Sequence, residues 1–216
     1  MSPGSDSRPR PASQAEHAFD LLERKLVTLE LAPGSVVSEG YLIERLGLGR
    51  TPVREAIQRL AQQDLIRVMP RKGLLIVPIE RTELLQVLEV RKGLERLVVR
   101  LAALNARDDQ RSRLSAIART LATSHEDFET FLKLDRETDR RLDECAGNRF
   151  AAAAVAPLRT HCRRFWYASR HRLRLADAIA AHSAMIRLVA RRDSVGAQKA
   201  SDTVIALNER LAAEIE

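Results

Sequence analysis

Residues 32–78 read APGSVVSEGYLIERLGLGRTPVREAIQRLAQQDLIRVMPRKGLLIVP, and this stretch decides the fold. Its middle places Val53, Ala56, Ile57, Leu60 and Ala61 at i, i+3, i+4, i+7 and i+8. That stripe predicts an amphipathic helix, with Thr51 as N-cap and Pro52 at the first helical position. Upstream, Ser38 can cap a short helix running to Leu46, closed by the turn Gly47-Leu48-Gly49. Downstream, Ile66–Met69 and Leu74–Val77 flank Pro70-Arg71-Lys72-Gly73, two β-rich runs around a glycine-containing turn, which predicts a hairpin. Working back toward the N-terminus, Ala18, Leu21, Leu22, Leu26 and Leu29 recur at helical spacing from about Ser13 until Ala32-Pro33-Gly34 stops them. Helix, helix, short turn, helix, hairpin is the order of a winged helix-turn-helix.

Beyond Pro78 no strand pattern remains. Helical stretches are expected at about 82–105, 108–122, 126–146, 149–169, 174–192 and 194–215, with Pro157 placed to kink the fourth. The fold class is therefore mainly α: an N-terminal winged helix-turn-helix of three helices and a β-hairpin wing, then an all-α antiparallel bundle. The expected division is a tail at 1–14, a DNA-binding domain at 15–78 and a helical effector-binding and dimerisation domain at 79–216.

The 216 residues carry a formal charge of +7, and a basic balance favours polyanionic partners, nucleic acid first. The charge is concentrated. Between Gly49 and Gly73 six basic residues (Arg50, Arg54, Arg59, Arg67, Arg71, Lys72) face two acids (Glu55, Asp64). The two cysteines, Cys145 and Cys162, form no CxxC pair and imply no disulfide framework. No apolar run approaches the ~20 residues that span a bilayer. The segment MSPGSDSRPRPASQ lacks the apolar core of a signal peptide and reads as a tail in which Arg8 and Arg10 offer loose phosphate contacts. A cytoplasmic location and no membrane partner are expected.

If the apolar stripe faces a small core, Arg50, Thr51, Arg54, Glu55 and Gln58 face outward near the helix N-terminus, where a recognition helix meets bases. Arg54 can reach guanine O6 and N7 with two parallel hydrogen bonds. Arg50 and Thr51 suit phosphate or base contacts. Arg71 and Lys72 sit in the wing, and Gly73 is expected to let the backbone approach the duplex closely. The competing view is a solvated helix whose arginines pair with Glu55 or Asp64. Charge, element order and a basic wing agree on double-stranded DNA as the partner.

The run PG…SE…L…LG…RTPVREA…RL…L…P..G..V within 32–78 closely resembles the winged helix-turn-helix of the GntR family of bacterial regulators. The helical remainder resembles the FCD domain of the FadR-like branch, through Glu89-Val90-Arg91, Leu94-Glu95, Leu134-Asp135, Gly147-Asn148 and His182. The resemblance spans about residues 15–212. It implies a homodimer on a short palindromic operator, released or retuned when a metabolite enters the helical domain. Two departures concern DNA: Gly40 stands where members usually carry arginine, and Gly49 where Ser or Thr usually precedes the arginine matching Arg50.

Many members hold a divalent metal with one Asp and three His. By the resemblance those positions are Asp135, Asp139, His182 and Val204 here, so one histidine has become aspartate and another valine. Periodicity independently turns all four inward: Asp135 and Asp139 with Phe128, Phe131, Leu132 and Leu142, His182 within Leu175–Val189, and Val204 within Ala197–Leu211. Two buried carboxylates need a cation, an arginine or a shared proton. A weakly bound divalent ion on Asp135, Asp139 and His182 is one solution, with no cofactor required otherwise. An arginine such as Arg91 or Arg140 is another, and an amine-bearing effector a third. Arg91, Asp135, Asp139, His182 and Val204 form the expected effector pocket, for a small molecule such as a metabolite carboxylate. His17, His125, His161 and His171 are expected at the surface, and Phe165-Trp166-Tyr167 in core or dimer packing with one ring able to line the pocket. A ligand-responsive regulator, in the sense of a repressor, is the leading reading. The alternatives are a metal-dependent helical-bundle enzyme and an architectural DNA-binding protein without effector.

Overall fold

A computed structural model describes residues 13–123 and 127–214. The expected N-terminal tail with Arg8 and Arg10, apart from Ser13 and Gln14, and His125 lie outside the described residues. The chain divides into two compact units, one ending at Pro78 and the other beginning at Ile79.

In the first unit the order is α1 (Gln14–Val27), β1 (Val36–Val37), α2 (Glu39–Leu46), α3 (Arg50–Gln62), β2 (Ile66–Met69) and β3 (Gly73–Ile76). Ser13 opens α1 with a reciprocal capping box: its hydroxyl accepts from Glu16 N–H, and the Glu16 carboxylate accepts from Ser13 N–H. Ser38 caps α2 by accepting from Tyr41 N–H, and Gly47 closes that helix in the left-handed region at φ 64°. Leu22 and Leu26 of α1, Leu42 of α2, and Val53, Ile57 and Leu60 of α3 meet Leu65, Ile66 and Ile76 in one core. Each such aliphatic side chain contributes roughly 1.5–3 kcal/mol when fully buried.

Two expectations at α3 need correction. The helix begins at Arg50 with Gly49 as N-cap, so Thr51 is its second residue and Pro52 its third. Glycine offers no side-chain cap, and Thr51 is exposed rather than capping. Ala61 is only half-buried. The wing is also larger than a hairpin. β1 pairs antiparallel with β3 through Val36↔Leu75 and Val37↔Leu74, giving a three-stranded sheet in the order β1-β3-β2.

The second unit holds α4 (Arg81–Asn105), α5 (Asp108–Ala122), α6 (Phe128–Ala146), α7 (Arg149–Ala168), α8 (Leu175–Ala190) and α9 (Ser194–Ala213). No strand occurs there among the described residues. α4 packs along α9, α6 and α7, while α8 packs against α5 and α9. Side-chain caps set several helix starts: Asp127 accepts from Thr130 N–H, Asn148 from Phe150 and Ala151 N–H, and Asp193 from Gly196 N–H. Pro157 lies within α7, which continues past it to Ala168. Among the described residues no helix is long and apolar enough to cross a membrane.

Candidate functional site

The outward side of α3 is built by its inward one. Burying Val53, Ala56, Ile57 and Leu60 leaves Arg50, Thr51, Arg54, Glu55 and Gln58 exposed. The first turn of α3 holds no acidic residue and no side-chain cap. Its leading N–H groups and the helix dipole are therefore free for an anion. Arg54 Nε donates to Glu39 Oε1 at 2.8 Å. This bridge from α2, which sequence reasoning missed, fixes the stem of Arg54 and leaves both Nη groups for a base edge. Neither Glu55 nor Asp64 holds it. Arg59 instead lies over the Phe19 ring at 4.1 Å, a packing role.

At the wing tip Arg71 and Lys72 are exposed, Arg71 takes a left-handed φ of 64°, and Lys72 N–H closes the turn onto Met69 O at 3.1 Å. Gly73 starts β3 rather than forming the tip. Its φ is 112°, and a Cβ there would stand 2.7 Å from Val37 O. Glycine at 73 is thus demanded by β1 lying against β3, a requirement within the fold itself.

In the helical unit, Asp135, Asp139, His182 and Val204 do converge, together with Arg91, on a cavity of about 10 Å³ that also meets Glu95, Met185, Ser201 and Ile205. That volume is room for about one water. The cation facing the two aspartates comes from α7. Arg163 Nε donates to Asp135 Oδ2 at 2.7 Å, and its Nη2 donates to Asp139 Oδ2. Four residues earlier, Arg159 Nε and Nη2 grip Glu95 at 2.8 and 2.9 Å, its Nη1 grips Asp143 at 3.0 Å, and Nε also lies 3.2 Å from Asp139 Oδ1. Arg91 Nε bonds Glu95 Oε1 at 3.0 Å. Of the two arginines anticipated for the aspartates, Arg91 serves Glu95 first and Arg140 is exposed. The residues that neutralise the pair, Arg159 and Arg163, were not anticipated.

The cluster sets three guanidiniums against four carboxylates: Glu95, Asp135, Asp139 and Asp143. Burial alone would raise Asp135, but Arg163, His182 and Arg91 outweigh it and hold that carboxyl well below the usual range. Burial likewise opposes ionisation of Glu95, and Arg159 with Arg91 brings it down to about 2. Asp139 goes the other way. Burial pushes it up to about 7 despite Arg159 and Arg163, and the charges of Asp135 and Glu95 add to the rise. Asp139 is thus the acid whose proton uptake near neutrality relieves the surplus negative charge. Asp143 is also raised by burial.

His182 Nδ1 lies 2.7 Å from Ala178 O, which fixes that nitrogen as the donor. Its buried Nε2 stands 3.3 Å from Asp135 Oδ1 without hydrogen-bond geometry. Arg91 Nη1 is a second buried polar atom without a partner. Phe131 and Trp166 meet the imidazole edge-on at centroid distances of 5.3 and 5.6 Å, so Trp166 packs against His182 rather than lining the cavity itself. His17 and His171 are exposed, while His161 is half-buried and partnered. Cys145 and Cys162 are free and buried, and burial pushes the Cys145 thiol up to about 11.

This donor set does not fit a divalent ion. The Arg163 guanidinium spans both aspartates where a metal would sit, and Val204 offers no lone pair. Among the described residues no group of three His, Cys, Asp or Glu side chains is arranged to hold a metal.

Residues 14–76 match the bacterial regulatory proteins of the gntR family, and residues 86–207 match the FCD domain. This chain belongs to the GntR family, with an FCD domain. The E. coli K12 transcriptional repressor RspR is 26% identical over 156 residues, 71% of this chain and 68% of that one. An uncharacterized HTH-type transcriptional regulator of Streptomyces ambofaciens is 36% identical over 74 residues, 34% of this chain and 31% of its own length. A second, from Agrobacterium vitis, is 31% identical over 96 residues, 44% of this chain and 56% of its own length. The chain therefore spans about a third to a half of these last two relatives. In fold, E. coli McbR/YncC superposes with a TM-score of 0.81 at 19% identity, covering 94% of this chain and 99% of that one. A GntR regulator from Rhodococcus sp. RHA1 gives 0.72 at 14%, with the same coverage. The family and these relatives are regulators rather than enzymes, which sets aside the bundle-enzyme alternative.

Proposed function

We propose that this GntR-family chain is a ligand-responsive transcription regulator. It acts as a homodimer, binds a palindromic double-stranded operator through the outward face of α3 and the wing, and represses until a small metabolite enters the buried cluster. The observation that carries the reading is the uncapped, acid-free N-terminus of α3. Arg50, Thr51 and Arg54 stand outward around it, and Arg54 is held in place by Glu39. Bases are read by such N-terminal residues, and phosphates by the helix N-terminus, Arg71 and Lys72. One small winged helix reads few base pairs, so two-fold symmetry supplies the specificity.

Support for an effector comes from the cluster. Arg91 Nη1 and His182 Nε2 are buried without hydrogen-bond partners beside the small cavity, and Met185, Val204 and Ile205 give it an apolar side. A carboxylate suits this place, accepting from Arg91 and competing with Asp139 for Arg163. Anything larger than a water must part existing ion pairs, which couples occupancy to helix packing. No metal is assigned: the cation is part of the chain.

The test has two parts. Duplexes selected from a random pool by the full chain should converge on a palindrome, and light scattering should give a dimer of the 24.2 kDa chain. Carboxylate metabolites should then be screened for release of that duplex. The single tryptophan, Trp166, stands 5.6 Å from His182 and should report entry by its fluorescence. Sequence-independent binding by a monomer, with no metabolite altering fluorescence or affinity, would favour the architectural reading.

A further inference from the structure

A second feature of the helical unit lies outside the buried cluster. On α5, Arg111, Ser115 and Arg119 follow one another at four-residue spacing; Arg187 in the last turn of α8 is followed at the same spacing by Arg191, the residue that closes the helix. The two rows face each other across adjoining cavities of about 410 and 550 Å³ that share Arg111, Ser115, Arg119 and Ala190. Like charges four residues apart on a helix oppose each other, as Arg187 and Arg191 do here, and Arg111 and Arg119 add two more positive charges to the same groove. Counter-charge is scarce. Asp108, 88% exposed at one end, bonds Arg111 at 2.8 Å, and no acidic side chain among the described residues pairs with Arg119, Arg187 or Arg191.

Two of the guanidiniums are already fixed by backbone. Arg111 Nε donates to Ala190 O at 2.7 Å and its Nη1 to Asp108, leaving Nη2, while Arg187 Nε donates to Ser183 O at 3.1 Å and keeps both Nη groups for a guest. Small residues, Ala118, Ala122 and Ala190, form the floor and leave the groove open. Anchored guanidinium forks, a hydroxyl at Ser115 and a net surplus of positive charge match an anion able to accept several bidentate bonds.

The geometry points to a binding site between α5 and α8 for a small polyanion, of the phosphate-ester or polycarboxylate class. It is separate from the effector cluster and unrelated to metal chemistry.

Calorimetry on the full chain, with sodium pyrophosphate and sodium citrate as probes against NaCl of matched ionic strength, tests this. Saturable binding of either probe is expected. Tighter pyrophosphate identifies a phosphate-type guest, and tighter citrate a polycarboxylate. Arg119→Gln combined with Arg187→Gln should weaken it on the order of tenfold for each guanidinium removed. Both positions are exposed, so an unchanged melting temperature is the folding control, and Arg191→Gln should act in the same direction. Arg100→Gln, which removes an exposed charge of α4 that lines neither cavity, should leave probe binding unchanged. No saturable binding beyond the NaCl control would overturn the site, and so would equal affinity in the double variant. Loss of operator affinity in that variant without any anion binding would reassign the groove to DNA and also overturn it.

Discussion

Replacing Asp139 by asparagine should favour the protein's stability, relative to the parent chain, increasingly toward mild alkali, although it deletes a buried charged partner of two arginines. In the folded chain Asp139 titrates at about 7 against an ordinary 3.8. At about 1.4 kcal/mol for each tenfold change in proton affinity, ionising it there costs about 4 kcal/mol. The folded chain holds this proton more tightly than the unfolded one. Its contribution is therefore complete below the unfolded value and is lost as pH rises through about 7. Glu95 and Asp135 are shifted the other way, so their contributions are lost as pH falls through the acid range. Stability should accordingly peak in mildly acidic buffer and decline toward pH 8.5. Asparagine keeps one acceptor oxygen, which serves Arg163 or Arg159 but not both, and has nothing to ionise. Urea unfolding followed by circular dichroism, at one protein concentration and at pH 5, 7 and 8.5, measures the effect. The variant's stability relative to the parent chain should rise by about 2–3 kcal/mol from pH 5 to pH 8.5. Parallel pH profiles would refute the reasoning. So would a variant that loses ground as pH rises to 8.5, since Asp139 would then be ionised and stabilised by its arginines.

Four further outcomes are expected. Arg163→Met should cost about 3–5 kcal/mol at pH 7 by stranding Asp135, and adding Asp135→Asn should restore a large part, read by the same urea melts. Arg54→Ala should weaken the selected duplex by about 1–3 kcal/mol and relax one base position per half-site; equal affinity for matched and mismatched duplexes in the parent chain would remove its assigned role. Lys72→Ala should weaken all duplexes alike and lower the slope of log affinity against log salt by roughly one, measured by anisotropy across a salt series. Gly73→Ala should lower the melting temperature of the N-terminal unit with a cost of about 1–3 kcal/mol, because its Cβ meets Val37 O and its backbone is left-handed.

The helices were legible because their ends carry chemistry of their own. Ser13, Ser38, Asp127, Asn148 and Asp193 announce starts, and Gly47 and Gly147 announce stops. β1 was not, since two residues, Val36 and Val37, carry no period. At α3, threonine before proline read as a cap, but Gly49 takes the extended backbone two residues earlier. The convergence of positions 135, 139, 182 and 204 was readable because each lies in an apolar stripe. Arg159 and Arg163 escaped notice in an arginine-rich helix. The signal was present nonetheless: they fall on the same face of α7 as Val155, Cys162 and Trp166, all of them buried. An arginine inside an apolar stripe demands a carboxylate opposite it, and Glu95, Asp135 and Asp139 were the candidates.

The charge count of the cluster has an evolutionary consequence. Glu95, Asp135 and the three arginines hold one another in ionic form, so a neutral substitution at any of these five leaves a buried charge stranded and is selected against unless a second change accompanies it. These positions should drift only as a set, across α4, α6 and α7 together. Asp139 is the exception, because burial favours its protonated form. It is the place where a lineage can exchange an acid for an amide in a single step, and hence the natural entry point for remodelling what the domain senses.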